Sequence, residues 1–490
     1  MKIETQSTFN NENNMAFDHE IEAFIKEFVK DIAEKNVAIF AGAGMSKSSG
    51  YVDWKELLRD IADELGLKID DEHDLISLAQ YHVNHRASKA GITKKILEEF
   101  SEQAESSINH KILARLPIPT YWTTNYDTLI EDSLKEALKV VDIKHEIDQL
   151  ANTKPKRDVV VYKMHGDASS PSKAIIAKEQ YEEYYKTHEQ FITALSGDLI
   201  SKTFLFIGFS FTDPNLDYVL SRLRTSSNKQ HYCFMKRESR LSNDCDEAFK
   251  YKTRKQELKI NDLKRYKIQT VLVDEYETIT EILKEIEIRF RKKTIFISGS
   301  AEEYGDWQRS EAQSFIHELS KKLIITNLRI VNGFGWGVGS AVINGALEAI
   351  YSAPEKFSED QLIVRPFPQF ETNNKNLADL WEDYRQRMIA LSGIALFIFG
   401  NKKNDNGTII PANGVMREFE IAVGNGVIPI PIGATGYMAK IITSQLEENP
   451  TKYFGTNTWI YPLIKELNDE KLTQHEIIKK TINIIQRLGK

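Results

Sequence analysis

Along most of its length the chain alternates short apolar runs, each ending in glycine, serine or a polar turn, with amphipathic stretches of helical period. Few folds accept that pattern. Consecutive parallel strands need a crossover of about a dozen residues or more, and a helix fits it, so the alternation predicts α/β architecture with parallel sheets. In the first half the strand-like runs are NVAIFAG (36–42), TYWTTN (120–125), DVVVYKMHG (158–166), KTFLFIGFS (202–210), HYCFMK (231–236) and IQTVLV (268–273). A second series starts at Thr294 with KTIFISGSA, NLRIVNGFGWGVG, GIALFIFGN and GVIPIPIGATG. The pattern therefore predicts two doubly wound domains, residues 19–290 and 291–490, behind a polar, Asn-rich tail at 1–18. Segments 351–362 and 400–414 read as loops.

Composition narrows the class. With 490 residues and 41% apolar content the chain can build two ordinary cores, and no apolar run approaches the roughly 18–20 residues of a membrane helix. The N-terminus lacks the apolar region of a signal peptide. Net charge is −7 and the lysines are scattered, so nothing steers the chain to nucleic acid or an anionic membrane. Two cysteines, Cys233 and Cys245, are too few for a disulfide framework and fit a reducing cytoplasm.

Four polar segments follow predicted strands of the first half: Ala41-Gly42-Ala43-Gly44, Thr124-Asn125-Tyr126-Asp127, His165-Gly166-Asp167, and Gly208-Phe209-Ser210. In an open parallel sheet these positions share the carboxyl edge, where ligands bind. Asp213 and Pro214 then supply an N-cap and first helical residue, ahead of Asn215. A Gly-rich turn into a helix start suits a pyrophosphate. Asn125 can hold a hydroxyl or a water without bringing charge, and a histidine, with an unperturbed pKa of about 6.5, can accept a proton at cellular pH. Asp127 either orients these groups or bonds its own loop. Asp167 reads as a turn former, Tyr126 and Trp122 as packing groups, and His110 as the opening of a helix.

This ordered set resembles the sirtuin NAD-binding fold over roughly residues 20–290. Each motif is weak alone; the order makes the resemblance specific. It implies that Asn125 and His165 are catalytic, and that Ala41, Gly42, Ala43, Gly44, Ser46, Asp127, Gly208, Ser210 and Asn215 hold NAD+. The chain departs from sirtuin deacetylases in two places. Cys233 and Cys245 cannot supply the two Cys-x-x-Cys pairs of the zinc ribbon, so no metal is expected. The familiar PDFR segment is replaced by Val52-Asp53-Trp54-Lys55, without its arginine. Both departures favour water over an acyl-lysine peptide as the attacking group, giving nicotinamide and ADP-ribose.

The second half carries Gly333, Gly335, Gly337 and Gly339 after a strand, opening the helical run SAVINGAL. This half resembles the SLOG superfamily of Rossmann-like nucleotide sensors, relatives of phosphoribohydrolases. Arg385 and Met388 match their RxxM helix, and Glu418 takes the place of their glutamate, but the phosphate loop before it differs. That loss favours binding over hydrolysis. The resemblance implies that Gly299, Ser300, Gly333, Phe334, Arg385, Lys402 and Glu418 hold a cyclic ADP-ribose isomer. Arg385 and Lys402 suit its pyrophosphate, Glu418 suits ribose hydroxyls or an adenine amino group, and Phe334 or Trp336 suits stacking on a base.

In this domain order the chain resembles the effectors of Thoeris anti-phage defence. The resemblance implies an NAD+ glycohydrolase that stays idle until a TIR-class enzyme makes the cyclic signal, then depletes NAD+ as a homotetramer or larger assembly. Two rivals remain: a sirtuin-type deacylase or ADP-ribosyltransferase acting on protein, and a nucleotide sensor that binds NAD+ without cleaving it.

Overall fold

The computed structural model describes residues 17–100, 104–223, 229–240, 245–372, 376–455 and 457–489. The chain divides into two compact units, one ending at Glu287 and the next starting at Ile288. Of the predicted tail, residues 1–16 lie outside the described residues. Asp18 does more than end it: its carboxylate accepts the Ile21 N–H (2.8 Å) and caps the helix His19–Ala33.

The first unit is built on seven strands: β1 Val37–Ala41, β2 Thr120–Thr123, β3 Val141–Lys144, β4 Val159–Lys163, β5 Thr203–Ile207, β6 His231–Lys236 and β7 Ile268–Val273. They run in the order β3-β4-β2-β1-β5-β6-β7. Every pairing is parallel. The chain winds from β1 outward to one side, then returns to β1 and winds to the other. The switch point therefore lies between β1 and β5, where a doubly wound sheet opens a crevice for ligand. Strands β1 and β5 are buried throughout, as expected when helices cover both faces. Phe40, Trp122, Phe204 and Phe206 fill the core with Tyr184 and Phe191 from the helices. Trp122 stacks on Tyr162 at 4.1 Å.

The sequence does not announce β3. Its Asp142 and Lys144 are buried and paired at 2.9 Å, with Arg157 also on Asp142 at 3.1 Å. Charges satisfied by each other replace the apolar alternation that marks a strand.

The second unit has five parallel strands: β8 Thr294–Ser300, β9 Arg329–Asn332, β10 Leu362–Val364, β11 Ile394–Phe399 and, after a small hairpin of β12 Asn401–Lys403 and β13 Ile409–Pro411, β14 Ile428–Pro431. The order is β10-β9-β8-β11-β14, so a second switch point falls between β8 and β11. The hairpin corrects the reading of 400–414 as loop, and β10 falls largely beyond the loop read at 351–362. These three-residue strands are too short to show a period. Thus the fold is α/β with two parallel Rossmann-like sheets, as the alternation predicts. Among the described residues no helix is long and apolar enough to cross a membrane.

Candidate functional site

At the first switch point the turns after β1 and β5 meet backbone to backbone. The Gly42 N–H donates to Ile207 O (3.0 Å) and the Gly44 N–H to Gly208 O (2.9 Å). A Cβ on Gly42 would stand 2.5 Å from the Gly208 oxygen. Gly208 has φ +63°, and a Cβ there would reach 2.2 Å from the Met45 nitrogen. So these glycines interlock two turns, and the N–H groups of Gly42 and Gly44 are bonded within the protein. Ala41 ends β1 with its carbonyl accepting the Thr123 hydroxyl (2.9 Å), which ties β1 to β2. Ala43 starts the short helix that carries Ser46.

Asn125 and His165 reach the same rim by register. Thr123 of β2 pairs with Lys163 of β4, and each candidate lies two residues beyond its member of that pair. The Asn125 N–H donates to the Thr123 hydroxyl (2.9 Å), and its amide donates to the buried Ser46 hydroxyl (3.0 Å). His165, 1% exposed, has Asp213 Oδ2 at 3.2 Å from Nε2, Asn215 Nδ2 at 3.5 Å from the same nitrogen, and the Tyr181 hydroxyl at 3.3 Å from Nδ1. Burial holds its pKa below the ordinary range, and the Asp213 carboxylate pulls it back up. The structure thus groups Asn125 with Ser46, His165 with Asn215, and Gly42 and Gly44 with Gly208. Asp127 accepts the Leu129 N–H (3.1 Å) and so bonds its own loop. Ser210 is exposed and bonds Thr212 (2.7 Å).

Beneath both candidates sits a group that motif reading passed over. Lys163 is fully buried, with its ammonium on Glu131 (2.9 Å), Asp167 (2.6 Å), Tyr126 O (3.2 Å) and Asp127 O. One cation therefore joins the Asn125 loop to the His165 loop. Burial alone would lower its pKa, but the surrounding carboxylates raise it above the ordinary lysine value. The signal was present as a lone lysine ending the buried run VVVYK. Tyr126 and Trp122 pack, as read: the Tyr126 hydroxyl donates to Ile175 O (2.7 Å) and the Trp122 indole to Asp198 (2.9 Å). His110 lies inside the helix Ile108–Arg115, one turn after the cap Ser107, whose hydroxyl it meets at 2.7 Å.

The second rim repeats the plan. The loop of Gly333 to Gly339 folds back on the end of β8, with the Ala301 N–H donating to Trp336 O (2.8 Å). A Cβ on Gly335 would come within 2.0 Å of the Gly299 oxygen, and one on Gly333 within 2.9 Å of Phe367. Behind the loop, Glu418 is buried, accepts the Ser298 hydroxyl (2.5 Å), and lies 3.7 Å from Arg385 Nε. Burial pushes the Glu418 carboxyl up, against Ser298 and Arg385. The Arg385 guanidinium also lies over the Phe367 ring at 5.1 Å. Ser300 donates to Asn401 O (2.9 Å), and Lys402 donates to Asn413 (2.6 Å), both at the hairpin. Phe334 and Trp336 are 51% and 72% exposed on this loop, so each presents a large aromatic surface to solvent. Ser298, Asn401 and Phe367 were not read from the sequence; they act through Glu418, Ser300 and Arg385. Among the described residues no three His, Cys, Asp or Glu side chains group as a metal site.

Known families match both units. Residues 119–261 match the SIR2-like domain, and residues 278–488 match the Sir2- and TIR-associating SLOG family. An NAD(+) hydrolase ThsA of Bacillus cereus (strain MSX-D12) is 49% identical over 474 residues, 96% of this chain and 98% of that protein. The chain belongs to the ThsA family of NAD(+) hydrolases. ThsA proteins of Cytobacillus dafuensis and Acinetobacter baumannii (strain 532279) are 47% and 44% identical. The first alignment covers 97% of both chains, and the second 96% of this chain and 99% of the relative. Similarity to ThsA therefore spans both rims.

Proposed function

We propose that this chain hydrolyses NAD+ at the first rim, releasing nicotinamide and ADP-ribose, and that a cyclic ADP-ribose isomer at the second rim switches this on. The observation that carries the reading is the paired placement of Asn125 and His165, each two residues past one register pair at the switch-point edge. Cleaving the nicotinamide bond gives an oxocarbenium-like ribose, which water attacks. Asn125 holds a ribose hydroxyl or that water by its uncharged amide. His165 accepts the proton, and Ser46, Asn215, Asp127 and Ser210 with the Gly turns border the nucleotide.

At the second rim Arg385 and Lys402 take the pyrophosphate of the signal. Glu418 takes ribose hydroxyls or the adenine amino group, and Phe334 covers the base. Gly299, Ser300 and Gly333 let the ligand approach the backbone closely. A TIR-class enzyme supplies the signal during infection, and NAD+ depletion in the bacterial cytoplasm is the defensive outcome. The working form is a homotetramer or larger assembly.

The test is nicotinamide release from NAD+ by purified protein, with and without cyclic ADP-ribose isomers, repeated for Asn125→Ala and Arg385→Ala. Release that needs an isomer and is lost in both variants is the expected result. Constitutive release untouched by Arg385→Ala would sink the receptor and keep the catalyst. No release under any condition would sink the hydrolase reading.

A further inference from the structure

The helix Pro214–Leu223 starts at Asp213, and the two carboxylate oxygens of that residue have different partners. Oδ1 accepts the Leu216 N–H at 2.9 Å, as an N-cap does. A cap needs only one oxygen. Oδ2 is 3.2 Å from His165 Nε2, in a place where the Asp213 side chain is 10% exposed and the His165 side chain 1%.

Other elements bring neutral or weakly basic groups to the ring. The helix Lys178–Thr187 brings the Tyr181 hydroxyl to Nδ1 (3.3 Å) and the Tyr184 ring to 6.3 Å, with the Tyr184 hydroxyl donated to Met164 O. His188 stacks on Tyr184 at 4.4 Å. Asn215 stands 3.5 Å from Nε2. On the segment bearing His165, Lys163 at the end of β4 and Asp167 in the turn after it bond each other at 2.6 Å. Among the described residues Asp213 is thus the acid aimed at the imidazole.

We propose that Asp213 is the positioning residue of His165: its carboxylate accepts the Nε2–H and leaves Nδ1 with the lone pair that takes a proton during NAD+ cleavage. The assignment rests on His165 being the base. The neighbouring contacts agree with it. An Asn215 amide has nothing to donate to on a nitrogen that already carries hydrogen, and it stands off. A Tyr181 O–H does have a lone pair to meet at Nδ1, and it rotates away when substrate delivers a proton there. The proton comes from a ribose hydroxyl or the attacking water and stays on Nδ1. Asp213 remains a carboxylate facing the imidazolium, as acids behind catalytic histidines do.

The test uses full-length protein with 15N-labelled histidine rings. Long-range 1H–15N correlations between pH 5 and 9 are read in the wild type, Asp213→Asn and Asp213→Ser, and His165→Gln assigns the signal. Both Asp213 variants keep a capping side chain, and unfolding midpoints check the fold. The wild type should show the Nε2–H tautomer. Asp213→Asn keeps an acceptor but loses the charge, so the ring should titrate at lower pH. Asp213→Ser loses the acceptor, so the tautomer preference should vanish.

NAD+ hydrolysis, assayed with the cyclic ADP-ribose isomers, should fall about tenfold or more in both. In Asp213→Asn the acid limb of its pH profile should move down, because the base works when neutral. A wild-type ring in the Nδ1–H form, or a titration unchanged in Asp213→Asn, overturns the assignment at Asp213. His165→Gln hydrolysing NAD+ at the wild-type rate overturns it from the other side, by removing the base, whatever the ring spectra show.

Discussion

Lys163 has no exposed surface and four oxygen partners drawn from two loops and a helix. Removing it strands Glu131 and Asp167 in the interior, so Lys163→Met should lower stability by about 3–5 kcal/mol in urea unfolding. Adding Glu131→Gln should recover part of that loss, because the stranded carboxylate is then gone. An additive double variant would show that the residues do not act as one network. Asn125 and His165 were legible from the sequence because each sits in a short motif just past an apolar run. Asp213 was legible only as a cap, and Lys163 only as a lone lysine closing an apolar run. Their second partners come from segments distant in the chain, and no spacing rule reports such a meeting.

The elements carry the next level of constraint. Gly208 combines a left-handed backbone with a neighbour where its Cβ would go, so Gly208→Ala should cost about 2–4 kcal/mol. A thermal unfolding midpoint unchanged by this substitution would disprove the interlocked turns. Strand β6 gives a prediction in pH. His231 accepts the Phe204 N–H at Nδ1 (3.2 Å), and burial pushes its pKa down to about 4. Burial pushes His110 down likewise. A folded pKa below the unfolded value of about 6.5 means stability present above that pH and lost as pH falls from 6.5 towards 4. His231 should contribute on the order of 3 kcal/mol to that loss. Urea unfolding should show a weaker protein at pH 5 than at pH 7, with a smaller difference in His231→Gln. Most parallel strands of both sheets were legible because burial on two faces makes them continuous apolar runs, whereas β10 is only three residues long. Strand β3 was hidden by paired charges, and the β12–β13 hairpin by its polarity and length.

At the scale of the whole chain, each unit owns a switch point, a glycine loop and a buried charged group behind it. If the two rims are coupled, linkage makes the coupling reciprocal. A non-hydrolysable NAD+ analogue should tighten binding of the cyclic ADP-ribose isomer by the same factor by which the isomer tightens the analogue. Titration calorimetry in both orders checks this, and unequal factors would rule out a closed two-ligand cycle. Arg385→Ala should weaken the isomer at least tenfold and leave the analogue's own affinity untouched. Lys163 also makes the first rim its own stopwatch. An amine-reactive acylating reagent labels surface lysines at once but meets this amine only when the Asn125 and His165 loops part. The rate at which mass spectrometry finds Lys163 acylated therefore clocks how often the Asn125–His165 rim comes undone, with no substrate present.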